Sequence, residues 1–289
     1  MITGFLMTDF RPIRLSDRDW IERCRDVKLH PFSALSFQSL FTWQKDYGLT
    51  IAGDEDFFVV KSVSDGGYYV PCGDEKKCTA FLREAFRQEG SQRVLYLTEE
   101  QAVKAETEGY KRRAAPNLSE YICSTRALAL REGHVSATYR KKYRRFAEEF
   151  SYTVKKIERE DIDELLAVID SWEKNLDGSE PLDLGPTRLS LENFEALHLT
   201  GIRIRTEEGL TAFSFGFRSA PDIYTMSSVK YDKRLSPAVT VVCTREEAER
   251  IAQPCSFCNL EEDLGLPGLR DAKRQCSPVR LQEVFIIEK

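Results

Sequence analysis

The same order of secondary-structure elements is predicted twice along this chain of 289 residues, and that repetition limits its possible folds most strongly. In the second half, Ile202 and Ile204 alternate with arginines, and Phe213, Phe215 and Phe217 alternate with small or polar residues. Turns separate these segments, so an antiparallel meander of three strands is predicted. A strand and two helices precede the meander, and helix, strand, helix and strand follow it.

The first half shows the same sequence of elements with its own local signals. Ser16–Asp19 and Thr98–Gln101 are capping-box patterns, which mark the starts of helices. Residues 75–88 place apolar side chains on one helical face, and turn residues at 65–67 separate two short strands. We therefore predict an α/β (α+β) protein made of two lobes, each a mixed, mostly antiparallel sheet flanked by helices.

A helix is predicted between the halves, over residues 136–150. Tyr139, Tyr143 and Phe146 lie on one face of it, at spacings of three and four residues. We expect this helix to enter the second lobe, so that the N-terminal lobe spans 1–134 and the C-terminal lobe spans 135–289. The strands near 120–125 and 279–287 are expected to close the first and the second lobe respectively.

The opposite face of that helix is strongly basic. Its five cations occupy eight consecutive positions and are Arg140, Lys141, Lys142, Arg144 and Arg145. One interpretation is a surface for the phosphates of a transfer RNA, a lipid or a coenzyme. The other is a solvated face neutralised by nearby acids such as Glu148 and Glu149. Charge alone leaves the two open.

Acidic residues follow the predicted strand that ends at Asn259. Glu261, Glu262 and Asp263 precede the helix that begins near Gly268. A carboxylate there could accept a proton from an attacking amine or hold a cation. Acids before a helix also stabilise its dipole. We assign Glu261 to capping and keep Glu262 and Asp263 as candidate catalytic residues.

Neither half has a glycine-rich loop in front of the helix that follows its meander. Such a loop lets backbone N–H groups approach a pyrophosphate closely. Residues 71–75 contain one glycine and two acids, and residues 231–237 contain no glycine but carry Lys233 and Arg234. Binding of acetyl-CoA is therefore unexpected in the first half and conceivable only in the second.

The repeated order resembles two tandem N-acetyltransferase (GNAT) folds. Together with the basic helix and the closing motif, the chain resembles a free-standing, soluble member of the bacterial phosphatidylglycerol lysyltransferase C-terminal domain family, which is similar to Fem-type aminoacyltransferases. The closing motif consists of Asn259, Asp263, Gly265, Gly268, Leu269, Arg270 and Lys273. The resemblance implies transfer of an aminoacyl or acyl group from a carrier. It also implies substrate contacts for Asn259, Arg270 and Lys273.

Composition excludes several other classes. A net charge of −5 argues against general coating of nucleic acid. No apolar run approaches a membrane span, and no basic leader precedes Asp9, so we expect a cytoplasmic protein. The eight cysteines are expected to be free thiols, and Cys255 and Cys258 lack the second ligand pair of a zinc site. No nucleophile–histidine motif stands out.

The leading hypothesis is an aminoacyl- or acyltransferase without a tightly bound cofactor. Aminoacyl-tRNA or acyl-CoA would be its donor, and an amine or a hydroxyl its acceptor. The basic helix with Lys233 and Arg234 would bind the carrier's phosphates, and Glu262 and Asp263 would act on the amine. Positioning alone supplies much of the rate when the donor is already activated. Two alternatives stay open: a non-catalytic protein that binds a phosphorylated ligand or a protein partner, and an acyl-CoA N-acyltransferase that uses only the second half.

Overall fold

The computed structural model describes residues 9–87, 92–174, 183–232 and 237–289. Its helices are α1 (Arg18–Cys24), α2 (Phe37–Tyr47), α3 (Glu75–Ala85), α4 (Glu99–Thr107), α5 (Thr125–Leu128), α6 (Ala137–Glu149), α7 (Ile162–Lys174), α8 (Leu184–Glu192), α9 (Val239–Arg250) and α10 (Pro267–Gln275). Its strands are β1 (Leu49–Asp54), β2 (Phe57–Ser62), β3 (Gly67–Tyr69), β4 (Cys72–Gly73), β5 (Arg93–Leu97), β6 (Lys111–Ala114), β7 (Glu120–Ser124), β8 (Thr153–Lys156), β9 (Thr200–Thr206), β10 (Gly209–Ala220), β11 (Ile223–Tyr231), β12 (Phe257–Asn259), β13 (Arg280–Gln282) and β14 (Phe285–Glu288).

The chain forms two compact units, and each is built on one sheet. Unit 1 consists of the chain up to Ser119 together with Gln282–Lys289, and unit 2 is Glu120–Leu281. The strand order is β1-β2-β3-β5-β14-β6 in unit 1, where β4 also pairs with β2, and β13-β7-β12-β11-β10-β9-β8 in unit 2. Both sheets are mixed: β3 with β5, and β11 with β12, run parallel, and the meander strands run antiparallel. The expected fold class, two GNAT-like lobes flanked by helices, is confirmed.

Two strands, β7 and β14, complete a different sheet from the one expected from their place in the sequence. Strand β7 follows unit 1 in sequence but pairs with β12 of unit 2, and β14 follows unit 2 but pairs with β5 and β6 of unit 1. A division at residue 134 would place β7 in the N-terminal lobe and β14 in the C-terminal lobe. The structure instead places β7 in unit 2 and β14 in unit 1. Both strands are short and apolar, so their local sequence does not specify which sheet they complete.

The start of unit 1 also differs from the sequence prediction. The repeated order of elements predicts a strand over residues 10–15, but the structure shows only an isolated bridge between Arg11 and Ile51. Pro12 lacks the N–H that a ladder needs, which explains why pairing stops there. Among the described residues, no helix has both the length and the apolar character needed to cross a bilayer.

In unit 2, the basic helix predicted at 136–150 is α6, which begins after Ser136. The Ser136 side chain caps it by accepting a hydrogen bond from the Tyr139 N–H. The ring of Tyr139 is fully buried and packs with α5 residues such as Leu128, and Phe146 packs against β9 and α9. The aromatic face thus fixes α6 on the core of unit 2, which leaves its basic face outward.

Candidate functional site

Strands β11 and β12 part in the middle of the sheet of unit 2. They pair in parallel only at Ile223–Phe257, Tyr224–Cys258 and Thr225–Asn259. Strand β12 then ends, but β11 continues to Tyr231. Beyond Thr225, no strand in the described part of the chain pairs with this edge of β11. We call this opening the strand gap.

A bulge in β11 lies next to the strand gap. Met226 pairs with Gly216 and Ser228 pairs with Phe215, so Ser227 is an extra residue without a partner in the ladder with β10. A bulge of this kind bends its strand and leaves backbone groups unpaired. Such groups can donate hydrogen bonds to a bound molecule.

Residues 260–266, here called the acidic loop, follow β12 at the strand gap. Glu261 has a φ of +60°, which is uncommon for a residue with a side chain. Its N–H donates to Oδ1 of Asn259 at 2.8 Å, and its carbonyl accepts from the N–H of Tyr121 at 3.2 Å. These two bonds hold the left-handed residue in place.

Asn259 links the acidic loop to a buried carboxylate on β7. Its Nδ2 donates to Oε2 of Glu120 at 2.7 Å, and both residues are almost fully buried. Asn259, which the motif assigned to substrate binding, therefore uses both ends of its amide to fix other groups. Its oxygen orients the Glu261 backbone, and its nitrogen satisfies Glu120.

Asp263 is committed to a buried network. It accepts two hydrogen bonds from Arg270 at 2.7 and 2.9 Å, one from the hydroxyl of Tyr121 at 2.6 Å, and one from the Gly265 N–H at 2.8 Å. The Arg270 hydrogen bonds hold the pKa of Asp263 far below its usual value. A carboxylate this acidic is a poor proton acceptor, so the geometry favours a positioning role over the catalytic role expected from sequence.

Lys273 projects from α10 toward the same group of acids. Its Nζ donates to the backbone carbonyl of Glu262 and lies 6.0 Å from the centre of the Tyr121 ring. Burial lowers the pKa of Lys273, although the nearby carboxylates of Glu262 and Glu261 act in the opposite direction. This ammonium is the cation that lies among the acids of the loop.

The pKa of the Glu261 carboxyl is shifted in the opposite direction from that of Asp263. Burial raises its pKa well above the ordinary value, and the negative charge of Glu262 raises it further. A carboxylate whose pKa is raised accepts a proton more readily than an ordinary carboxylate. The sequence assigned Glu261 to capping and favoured Glu262, because burial and a left-handed φ are not visible in three consecutive loop residues.

Two members of the site lie on β7 and were missed from the sequence, namely Glu120 and Tyr121. The available signal was a charged residue at the start of an otherwise apolar strand. The expected location of that strand in the first lobe placed it away from the closing motif. Pairing of β7 with β12 brings it there.

The cations of the basic helix have different surroundings. Lys142 donates to Gln275 at 2.8 Å, Arg145 pairs with Glu149 at 3.7 Å, and Arg140 donates to the Val135 carbonyl at 2.6 Å. Lys141 and Arg144 are exposed and show no partner among the described residues. Lys233 and Arg234 lie outside the described residues. Of the five cations on the basic face, only Arg145 therefore has a carboxylate partner among the described residues.

Arg140 and Arg144 also line a pocket of about 290 Å³ together with Arg131 and Tyr143. This pocket lies between α5 and α6. The predicted phosphate contacts of the basic helix stay a prediction. The expected absence of a metal at Cys255 and Cys258 also stays a prediction.

Known structures share this architecture. A conserved protein of unknown function from Bacteroides thetaiotaomicron is 26% identical, with a TM-score of 0.84 and coverage of 98% of this chain and 99% of that one. The C-terminal domain of a proposed lysylphosphatidylglycerol synthetase from Agrobacterium fabrum is 14% identical, with a TM-score of 0.66 over 93% and 91%. FemX is 10% identical, with a TM-score of 0.59 over 96% and 97%. The last two show the fold alone.

At the level of sequence, no curated protein matches this chain significantly. The family described as phosphatidylglycerol lysyltransferase, C-terminal, matches residues 27–288, which is nearly the whole chain. This match confirms the resemblance indicated by the closing motif. The chain belongs to the phosphatidylglycerol lysyltransferase C-terminal family.

Proposed function

We propose that this protein transfers an aminoacyl or acyl group from a phosphate-bearing carrier, aminoacyl-tRNA or acyl-CoA, to an amine or hydroxyl acceptor. Family and fold support the coarser class, an aminoacyl- or acyltransferase. The observation that carries the proposal is the carboxyl of Glu261, whose pKa is raised, next to the strand gap and near the ammonium of Lys273.

The reaction needs one proton acceptor and no redox cofactor. The acceptor nitrogen or oxygen attacks the carbonyl carbon of the ester or thioester, and a new C–N or C–O bond forms. Glu261 takes the proton that the nucleophile loses. The bond to the carrier breaks, and the leaving oxygen or sulfur takes a proton back from Glu261. The carboxyl is thus regenerated, as general acid–base catalysis requires.

The other residues of the site hold this carboxyl in place. Asn259 fixes the backbone of Glu261, and the Asp263–Arg270 pair fixes the turn that follows. Lys273 supplies a positive charge that stabilises the oxyanion developing on the attacked carbonyl. A bound substrate excludes water and strengthens this interaction. Lys141, Arg140 and Arg144 are the cations available to the phosphates of the carrier.

The test measures loss of the acyl group from carriers labelled on that group. Lysyl-tRNA and acetyl-CoA are incubated with the protein and with L-lysine, ethanolamine or phosphatidylglycerol vesicles as acceptors. We expect Glu261→Gln to lower the rate by about 10²–10⁴-fold, because it removes the proton acceptor. The matched variant Glu262→Gln, one residue away, is expected to lower it by less than about 10-fold.

The pH profile provides a second readout. Glu261 must be ionised to accept a proton, so the wild-type rate should rise with pH through the raised pKa of this carboxyl. The rise should be absent in Glu261→Gln. If both glutamine variants lose activity equally, the role of Glu261 is wrong. If the wild-type protein deacylates neither carrier, the proposed transfer is wrong and a ligand-binding function replaces it.

A further inference from the structure

The pocket between α5 and α6 is a cationic site separate from the strand gap. Three arginines line it, Arg131, Arg140 and Arg144, together with Tyr143. Its apolar wall comes from Ala127, Leu130 and Val135. A volume of about 290 Å³ is at the lower end for small-molecule sites. We call it the arginine pocket.

Two acids lie near the arginine pocket, Glu132 and Glu249, and each already forms an ion pair with an arginine. Glu132, which also lines the pocket, pairs with Arg126 at 2.5 Å. Glu249 pairs with Arg131 through two hydrogen bonds, one of 2.7 Å from Nε. Arg140 and Arg144 have no carboxylate among their described contacts. The pocket therefore keeps a positive charge that comes from these two residues.

Placing Arg140 and Arg144 together is unfavourable for α6. Like charges four residues apart on a helix repel each other. Both residues also lie before the last turn of α6. They therefore lack the stabilisation that the helix dipole gives to cations in the last turn. The same helix pairs Arg145 with Glu149 in the ordinary i,i+4 manner. Two unneutralised guanidinium groups beside a pocket are the arrangement expected when an anion supplies the missing charge.

We propose that the arginine pocket binds a phosphate group. Arg140 and Arg144 donate charge-assisted hydrogen bonds to the phosphate oxygens, and Tyr143 and the apolar wall contact the carbon-bearing group attached to it. The shared chemistry is a phosphate ester or anhydride, which RNA, coenzyme A and pyrophosphate all provide. One part of this proposal rests on the proposed function, namely that the carrier is the source of the phosphate.

Calorimetric titration with three probes tests this at low salt: inorganic pyrophosphate, coenzyme A and deacylated tRNA. We expect Arg144→Ala to weaken binding by at least about 10-fold, because a hydrogen bond to a charged group is lost. Arg145→Ala is the matched control, since it removes the neighbouring cation that Glu149 already neutralises. It should change pyrophosphate and coenzyme A affinity by less than about 2-fold. Both side chains are exposed, and thermal unfolding verifies that both variants fold.

A third variant should act in the opposite direction. Glu249→Gln removes the carboxylate that neutralises Arg131, so phosphate binding should become several-fold tighter. Saturable binding of pyrophosphate that depends on Arg144 and tightens in Glu249→Gln supports the site, and the coenzyme A and tRNA arms identify its source. Absence of binding to all three probes, or equal losses in the Arg144 and Arg145 variants, overturns it.

The two proposals fail separately. Phosphate binding that depends on Arg144, without deacylation of any carrier, contradicts the proposed transfer and supports the arginine pocket. Deacylation by the wild-type protein that Arg144→Ala leaves unchanged, with no change in binding, contradicts the arginine pocket and supports the transfer.

Discussion

Unit 1 and unit 2 have similar mixed sheets but differ at the point where their parallel strands part. Tyr96, with a φ of +65°, comes directly after the last parallel pair in unit 1, and Glu261, with a φ of +60°, comes two residues after it in unit 2. Tyr96 packs against Tyr69 and Phe32, with ring centroids 4.7 and 6.1 Å apart. The left-handed residue near the parting point thus carries an aromatic ring in unit 1 and a carboxyl in unit 2.

The two units therefore differ in the side-chain chemistry at their parting points. Unit 1 fills its parting point with apolar rings, and the start of its helix α3 is capped by the side chain of Asp74. An acid at that position repels a phosphate. Unit 2 places Glu120, Glu261 and Lys273 at its parting point. A shared fold therefore does not determine which side chains lie at these two points.

The largest expected effect comes from removing residues 283–289, which should unfold unit 1 and spare unit 2. Val284, Phe285, Ile286 and Ile287 are buried in unit 1. Each contributes roughly 1.5–3 kcal/mol, so their sum is comparable with the whole stability of an ordinary domain. Hydrogen exchange measured separately for the amides of each sheet is the readout.

A point substitution in β14 tests the same contacts without shortening the chain. Ile287→Asn leaves a polar group at a fully buried position and should weaken unit 1 in the same direction. Preserved protection of β1, β2 and β5 after the truncation would show that β14 does not complete unit 1, and the comparison between the units would then need revision.

An intermediate effect should distinguish the ion pairs of the two units. Asp263 is buried in unit 2, so Asp263→Ala leaves Arg270 without its partner and should lower the free energy of unfolding by about 3 kcal/mol. In unit 1, Lys77 pairs with Asp54 and Asp56 at the surface, where solvent screens the charges, so Lys77→Met should have a much smaller effect. Denaturation in urea, followed by hydrogen exchange in each unit, measures both; equal costs would argue against a buried network in unit 2.

The smallest expected effect is an opposite response of the units to pH. Burial lowers the pKa of His30 in unit 1 to about 4, from about 6.5, so unit 1 should lose stability as pH falls through that range. Burial raises the pKa of Glu247 in unit 2 to about 8, from about 4.5, so unit 2 should lose stability as pH rises through its range. The conversion of about 1.4 kcal/mol per unit of pKa gives only an upper limit, and relaxation around the buried groups reduces each expected effect to about 2 kcal/mol.

Matched variants assign these two responses. Glu247→Gln should make unit 2 more stable at pH 8 by about 2 kcal/mol or more, with little change at pH 4.5. His30→Gln should flatten the acid limb of unit 1 and leave unit 2 unaffected. Thermal melts from pH 4.5 to 8.5 provide the measurement. A Glu247→Gln effect that is independent of pH would show that this carboxyl does not ionise in the folded protein.

Local patterns were sufficient to predict most of the helices and strands. The alternation of Phe213, Phe215 and Phe217 and the capping residue Thr98 act through near neighbours, and the structure contains β10 and α4 at those positions. The partners of β7 and β14 could not be predicted in this way. Both are apolar strands of similar length, and only long-range pairing selects the sheet that each one completes.

The site shows the same limit at the level of single side chains. Asn259, Asp263 and Lys273 were expected near one another, and the structure brings them together through contacts with Tyr121 and the acidic loop. The choice between Glu261 and Glu262 depends on a backbone φ, and the choice between Arg144 and Arg145 depends on helix rotation and on Glu149. Neither property is contained in the residue types alone.

The pairing of β14, the last strand of the chain, with β5 of unit 1 also has a consequence for synthesis on the ribosome. Ile287 pairs with Val94, so the sheet of unit 1 stays open while the whole of unit 2 is translated. At 5–20 residues per second this interval is on the order of 10–40 s, during which the edge of β5 is exposed to other chains. We expect nascent protein to depend on chaperones in that interval, and the last strand to emerge to set the time at which the first unit closes.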